Sequence, residues 1–310
     1  MDMEVVVVDE AEQKKEKTTK KQEAGGSGRP AVLPDVPETL WNANAVPVEP
    51  IQKTKHYRVA PPVYLRPDGK KRVRVVCVSD THHRWNDLRT LPLPDGDVFL
   101  HCGDFSNRGA KEEWERYASF LASLPHKHKV LICGNHDYGI DHLSREEIRG
   151  SPLIFPQNCN VHYLQDDTVT LEGIKFWGSP WTGHHMAFHV THDGNRMRAA
   201  FSSMPEDVDI AMTHLPPFNV LDLAWLNIRS EAEKQRRNVT CQVCGGCHPS
   251  FDHWGSRCLR HSMLYFQPKV HVFGHVHDAP GMAKVPGCET LFVNAAMDLY
   301  PRPIVIDCYL

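Results

Sequence analysis

The chain lacks any apolar run long enough to cross a bilayer. Its longest runs, such as Val5 to Val8 and Val75 to Val78, fall far short of the roughly 18 residues that a spanning helix requires. A surplus of basic charge is missing too. Lys and Arg number 35 against 38 Asp and Glu, a formal charge of −3 over 310 residues, so no bulk field exists to hold nucleic acid or an anionic membrane. Neither bulk nucleic-acid binding nor membrane attachment is expected. The N-terminus opens on acids and a run of four valines, MDMEVVVVDE, without the basic n-region and longer apolar stretch of a secretory signal. A cytoplasmic location is expected, with the nucleus left open. In that reducing compartment the ten cysteines read as free thiols or metal ligands rather than as disulfides.

What the chain has in excess is histidine, 20 of 310 residues, and histidine is the commonest metal ligand. The first 70 residues show no sustained hydrophobic periodicity. They carry a Lys/Glu-rich start, a Gly-Gly-Ser-Gly stretch at 25–28 and eight prolines between Pro30 and Pro67. Such a segment buries too little apolar surface to offset its ordering entropy, so 1–70 reads as a largely disordered tail. Within it, Tyr57 to Tyr64 reads as a linker or as an edge segment, with Pro61 and Pro62 barring it from a central strand. Residues 71–310 read as one domain. Arg72 to Ser79, Val98 to Cys102 and Lys129 to Cys133 are near-continuous apolar runs of strand length, as in strands covered on both faces. Lys111 to Leu124 places Trp114, Tyr117, Phe120, Leu121 and Leu124 at helical spacing. Further strands are expected at 160–164, 168–172, 174–178, 208–213, 269–273, 290–294 and 303–308, with a hairpin turn at Glu172-Gly173. The mixture of crossovers and hairpins indicates an α/β sandwich with two sheets inside and helices outside.

The first three apolar runs end in polar signatures: Ser79-Asp80-Thr81-His82, Gly103-Asp104 and Gly134-Asn135-His136-Asp137. Ligands of α/β sheets bind beyond the carboxyl ends of the strands, where these residues fall. Asp80 and His82 lie two apart, so an extended backbone points both to one side, as two ligands of one ion need. His275 and His277 repeat that spacing after Val270 to Phe273, and His214 closes the run Ile210 to Thr213 ahead of Pro216-Pro217.

This ordered set, Asp-x-His, Gly-Asp, Gly-Asn-His-Asp, His and Gly-His-x-His, resembles the calcineurin-like metallophosphoesterase superfamily over about residues 72–308. The phrases CVSDTHHR, LHCGDFSNRG, ICGNHD, FWGSPWT, THLPP and PKVHVFGHVH resemble its metallophosphoesterase-domain-containing (MPPED) phosphodiesterase branch. The resemblance implies a four-layer αββα sandwich of two mixed sheets flanked by helices. It implies two divalent ions, drawn from Mn, Fe, Co, Ni or Zn, for which mixed N/O ligands are suited. One ion would take Asp80, His82, Asp104 and His277, the other Asp104, Asn135, His214 and His275, with Asp104 as the bridge. Some branch members have Gly at the position matching His275; this chain keeps the histidine. The implied reaction is hydrolysis of a small phosphodiester, a nucleotide or cyclic nucleotide, by in-line attack of a metal-bridging hydroxide. His136 would protonate the leaving oxygen, oriented by Asp137 or another carboxylate.

The phosphoprotein phosphatase pattern Gly-Asp-x-x-Asp-Arg-Gly is broken here, because Asn107 stands where an Asp is usual. A phosphomonoesterase or Ser/Thr phosphatase is therefore the second reading, and a non-catalytic metal-binding scaffold the third. Arg108, Asn135, His185 and Asn294 are candidates for substrate contact, His185 as one of the cluster His184, His185, His189 and His192. Asn294 reads equally as a loop-fixing amide. Cys77, Cys102, Cys133 and His271 read as packed strand residues. Finally, Cys241, Cys244, Cys247 and His248, within a Cys/His-rich insertion at about 238–258, have the spacing of an accessory zinc site, with free cysteines as the alternative.

Overall fold

Alternation along the strands sorts the apolar side chains into two cores. The computed structural model describes residues 4–7, 33–47, 71–82, 84, 93–151, 154–156, 159–299 and 302–310. In chain order the strands are β1 (Glu4–Val7), β2 (Val46–Pro47), β3 (Arg72–Val78), β4 (Val98–Cys102), β5 (His128–Ile132), β6 (Val161–Tyr163), β7 (Asp167–Leu171) and β8 (Ile174–Ser179). They continue as β9 (Ile210–Thr213), β10 (Leu223–Trp225), β11 (Phe251–His253), β12 (Val270–Phe273), β13 (Gly281–Lys284), β14 (Leu291–Asn294) and β15 (Ile304–Tyr309). A six-stranded sheet has the order β1-β15-β3-β4-β5-β6 and a seven-stranded sheet the order β2-β13-β14-β12-β9-β8-β7. Both are mixed: β3 to β6 run parallel with β15 antiparallel, and β8, β9, β12 and β14 run parallel with β7 and β13 antiparallel.

Val75, Cys77, Leu100, Val130, Ile132, Phe176, Met212, Val272 and Val293 form the layer between the sheets. The outward residues Phe99, Leu131, Trp177, Ala211, Phe273 and Phe292 pack beneath helices. These are α1 (Glu38–Trp41), α2 (Lys111–Ser123), α3 (Arg145–Gly150), α4 (Asn195–Ser202), α5 (Glu231–Arg237) and α6 (Arg257–Phe266). In α2 the predicted apolar face is the buried one: Tyr117 stacks on Phe105 at 4.2 Å between ring centroids and Phe120 meets Phe99. The result is the expected four-layer αββα sandwich. Each of the ten expected strands has a counterpart whose ends differ by at most two residues. Glu172 and Gly173 both take positive φ, 53° and 92°, the left-handed pair of a tight hairpin turn.

Of the N-terminal segment expected to be a tail, described pieces lie on the domain: β1 pairs with β15, and β2 with β13. Residues 33–45 pack beside α6, whose Arg260 donates to the Trp41 and Ala43 carbonyls at 2.9 and 2.6 Å. Tyr57 to Tyr64 lies outside the described residues. No helix among the described residues is long and apolar enough to cross a membrane.

The strand pair β3–β15, which carries the first metal motif at its end, is fastened by a buried ion pair. Arg74 donates to both oxygens of Asp307, Nε to Oδ1 at 2.7 Å and Nη2 to Oδ2 at 2.8 Å, on directly opposed residues. Removing one member of such a pair strands a charge in the interior. Asp307→Ala is expected to lower unfolding stability by about 3–5 kcal/mol, read from urea denaturation. A double replacement, Arg74→Met with Asp307→Leu, is expected to recover only part of that loss, because Arg72 Nη1, 3.7 Å from Asp307 Oδ2, also loses this carboxylate, and a single variant as stable as the parent would show that the pair carries no such weight.

Candidate metal centre

The ends of β3, β4, β5, β9 and β12 converge on one rim, and the backbone there departs from the extended form. Asp80, His82, Asp104 and His275 take φ of 54°, 42°, 56° and 68°, the left-handed region that residues with a Cβ seldom enter and that recurs at functional sites. The period-two argument for Asp80 and His82 is thereby corrected. Their side chains meet through a left-handed turn, locked by Asp80 N–H on the Gly103 carbonyl at 3.0 Å and His82 N–H on the Asp104 carbonyl at 2.9 Å.

Two clusters share Asp104. On one side His277 Nε2 lies 3.2 Å from Asp80 Oδ1 and 3.3 Å from His82 Nε2, with Asp104 Oδ2 3.9 Å from His82 Nε2. On the other, His214 Nε2 lies 3.4 Å from Asp104 Oδ2 and 2.9 Å from Asn135 Oδ1. The outer nitrogens fix which ring atom faces inward. His214 Nδ1–H donates to the Cys102 carbonyl at 2.8 Å, and His277 Nδ1 lies 3.2 Å from Asp298 Oδ2, the arrangement that holds a metal-ligating imidazole in one tautomer. His275 donates its backbone N–H to Asp80 Oδ2 at 2.8 Å. Its Nε2 is buried without a hydrogen-bond partner, and its ring centroid is 5.1 Å from that of His214. Lone pairs converging from carboxylate, amide oxygen and imidazole, with one buried nitrogen unpartnered, fit divalent cations. Glycine keeps the cradle open: a Cβ on Gly134 would fall 2.6 Å from His214 Nδ1, and one on Gly274 would overlap the Asp80 carboxylate.

The electrostatics point the same way. Burial alone would raise Asp104, but the His214 imidazole beside it holds the carboxylate down at about 2. Asp80 is likewise lowered against its burial, chiefly by His277. Reciprocally, and against burial, Asp104 lifts His214 to about 10 and Asp80 lifts His277 to about 9. Two buried carboxylates therefore draw positive charge to this spot, and protons on two imidazoles supply it in a cation-free chain. Burial, reinforced by the neighbouring His214 charge, lowers His275 well below its ordinary value, leaving a neutral donor.

Several expected roles change. Asp137 does not touch the His136 ring. Its Oδ2 accepts from the Asp104 and Gly134 amides at 2.9 and 2.8 Å and its Oδ1 from the Ser106 amide and hydroxyl at 3.0 Å each, so it ties the loops after β4 and β5 together. Burial and then Asp104 push it up to about 8. The His136 Nδ1 partner is the Asn107 carbonyl at 3.0 Å, while its backbone N–H donates to Asp104 Oδ1 at 2.8 Å. Asn294 spends its amide on backbone, donating to the Val276 carbonyl at 2.8 Å and accepting from Ala296 N–H at 3.1 Å. Fully buried, it fixes a loop. His185 is exposed and faces His189; its neighbour His184 is the one at the centre, its ring 4.5 Å from His275 and 5.1 Å from Trp254. Arg108 is exposed on its loop, its N–H bonded to the Glu113 carboxylate at 3.0 Å. The Asn135 amide nitrogen donates to Met186 Sδ at 3.3 Å.

Sequence reasoning missed Asp298, Trp254 and His101. His101 Nδ1 accepts from Gly103 N–H at 3.2 Å and Nε2 faces Thr81 Oγ1 at 3.0 Å, bracing both ligand loops from below; its position in the apolar run VFLHC was the available signal. Cys77, Cys102, Cys133 and His271 are fully buried, as expected of packed strand residues.

In comparison with known proteins, the family described as Calcineurin-like phosphoesterase matches residues 73–279. The chain is 31% identical over 250 residues to UPF0046 protein K07C11.7 of Caenorhabditis elegans, covering 77% of this chain and 76% of that one. It is also 31% identical over 293 residues to Metallophosphoesterase domain-containing protein 1 of Homo sapiens, covering 87% of this chain and 80% of the human one. A solved structure aligns with a TM-score of 0.52 at 15% identity, over 76% of this chain and 94% of the other, a likeness of fold alone. The chain belongs to the calcineurin-like phosphoesterase family, which implies a hydrolase that acts on a phosphoester with divalent metal ions.

Proposed function

We propose that the chain is a dinuclear metal-dependent phosphodiesterase whose substrate is a small phosphodiester, a nucleotide or cyclic nucleotide. The observation that carries this reading is the position of Asp104 between the two clusters, its Oδ2 3.9 Å from His82 Nε2 on one side and 3.4 Å from His214 Nε2 on the other. Asp80, His82, Asp104 and His277 would hold one cation, and Asp104, Asn135, His214 and His275 the second. Mn, Fe, Co, Ni and Zn suit such mixed N/O donors. When bound, a pair of divalent cations clamps phosphoryl oxygens and acidifies a water molecule toward neutral pKa.

The residues supply the rest. Asn135 contributes a neutral oxygen in place of a third carboxylate, so that two dications against Asp80 and Asp104 leave a net positive site that favours an anion. Nε2 of His136 is the ring atom available to give a proton to the leaving oxygen, because Nδ1 is committed to Asn107. The half-buried Trp254 and His184 rings beside His275 form an aromatic wall of the kind on which a nucleobase stacks.

The test is hydrolysis of bis-p-nitrophenyl phosphate against p-nitrophenyl phosphate by the purified full chain, across Mn, Co, Ni, Mg and Zn. Metal-dependent turnover favouring the diester is expected. Preference for the monoester would replace this reading with a phosphomonoesterase or phosphoprotein phosphatase, and no turnover with both metals bound would replace it with a scaffold.

A further inference from the structure

A second constellation lies in the insertion between β10 and α6. Cys241 Sγ is 3.7 Å from His253 Nε2 and Cys244 Sγ is 3.4 Å from His248 Nε2. All four ligand atoms fall within 4.8 Å of one another. Ligand bonds of about 2.3 Å to sulfur and about 2.05 Å to nitrogen at a tetrahedral angle place S and N about 3.6 Å apart, the separation found here. The supports around the four atoms are those of a metal site. Val243 and Gly246 N–H each donate to a cysteine sulfur at 3.4 Å, to Cys241 and Cys244 respectively. Gly245, at φ 72°, donates its N–H to the Cys241 carbonyl at 3.0 Å. His253 Nδ1 lies 2.8 Å from the buried Asp222 carboxylate and His248 Nδ1 lies 3.2 Å from the Phe251 carbonyl. Both rings are thus held with Nε2 toward the sulfurs, as outer hydrogen bonds hold zinc-ligating histidines. Cys247 is outside the group: it is exposed and its Sγ donates to Asn238 Oδ1 at 2.9 Å.

We propose that Cys241, Cys244, His248 and His253 bind a structural zinc ion, in a Cys₂His₂ set that excludes Cys247. Two thiolates and two imidazoles closing a tetrahedron select zinc and leave no open position for substrate. Binding releases the thiol protons to solvent. The short strands β10 and β11, which among the described residues form a two-stranded sheet of their own, gain a fastening. Trp254 follows His253 directly and its ring centroid is 5.7 Å from His275, so the ion anchors the base of that aromatic wall. The inference does not depend on the catalytic reading.

Zinc content of the purified full chain, and of Cys241→Ser/Cys244→Ser and Cys247→Ser, tests the assignment. The double variant is expected to hold one equivalent of zinc fewer than the parent, and Cys247→Ser the same as the parent. Zinc retained by the double variant, or lost on replacing Cys247, would overturn it. Two measurements on the unaltered chain keep the test sound should the double variant fold poorly. Cobalt(II) replacement is expected to give near-ultraviolet thiolate-to-cobalt charge-transfer absorption with intense tetrahedral visible bands. A mercurial thiol reagent is expected to free one equivalent of zinc to a chromogenic chelator. Absence of the charge-transfer band, or of released zinc, refutes the site.

Discussion

Asp104→Asn is expected to lower kcat/KM for a phosphodiester by at least about 10³-fold, because paired metals contribute several kcal/mol to the transition state at 1.36 kcal/mol per tenfold. Bound divalent metal should fall by at least one equivalent in the same variant. The substitution is nearly isosteric, so the loss is one of charge. Asp104 Oδ2 faces His214 Nε2 at 3.4 Å and His82 Nε2 at 3.9 Å, one imidazole from each half of the centre, and its Oδ1 accepts the His136 amide at 2.8 Å. An asparagine oxygen can keep the bond to His136, but its amide nitrogen then points hydrogens at the very place where two cations would share an anionic ligand. Metal content by mass spectrometry and turnover should therefore fall together, and the unfolding midpoint of the metal-supplemented protein should fall with them, because the lost ion no longer stabilises the folded state. Two retained metal equivalents with full activity would remove Asp104 from the bridge and with it the dinuclear assignment.

How far the sequence foretells this centre depends on what kind of interaction sets each part. Strand ends were legible because burial on both faces writes continuous apolar runs, and each of these breaks off at a polar motif; β3, β4 and β5 end where RVRVVCV, VFLHC and KVLI end, and β12 ends at Phe273 before the Gly-His-x-His motif. The helix α2 was legible from its spacing of large residues. Side-chain direction on irregular loops was not. His184 rather than His185 reaches His275 because the loop after β8 has no period, so adjacent histidines carry no sign of which faces inward. Asp137 and Asn294 carry the chemistry of catalysis or substrate contact, yet the structure commits both to backbone amides and carbonyls, a demand that appears only when the loops are closed. The accessory site shows the same limit. Linear spacing put Cys247 beside Cys244, whereas β11 returns antiparallel to β10 and carries His253 back to Cys241. Pairing of β1 with β15 is another tertiary choice: a four-residue strand ahead of a charged stretch has no local pattern that reveals an open sheet edge.

His136→Ala separates proton donation from metal binding. The ring of His136 sits 4.7 Å from that of His82, edge to face, and its Nδ1 is 3.0 Å from the Asn107 carbonyl, so the ring is held by the loop after β4. The usual phosphatase Asp is absent at Asn107, but the contact made there uses the backbone oxygen, which any residue supplies. With Nδ1–H spent on that oxygen, a proton carried on Nε2 is the one that can be delivered. Loss of a positioned general acid typically costs 10²–10⁴-fold, and the cost scales with how badly the leaving oxygen needs the proton. An alkyl phosphodiester, which expels a strongly basic alkoxide, should therefore lose about 10²-fold or more in kcat. A p-nitrophenyl diester, whose phenolate leaves unaided, should lose far less, and rates across a series of leaving groups should depend more steeply on leaving-group pKa in the variant than in the parent. Metal content should not change. Equal loss on both ester types would assign His136 to shaping the loop, and loss of a metal equivalent would make it a ligand alongside His82 and Asp104, with which it already clusters.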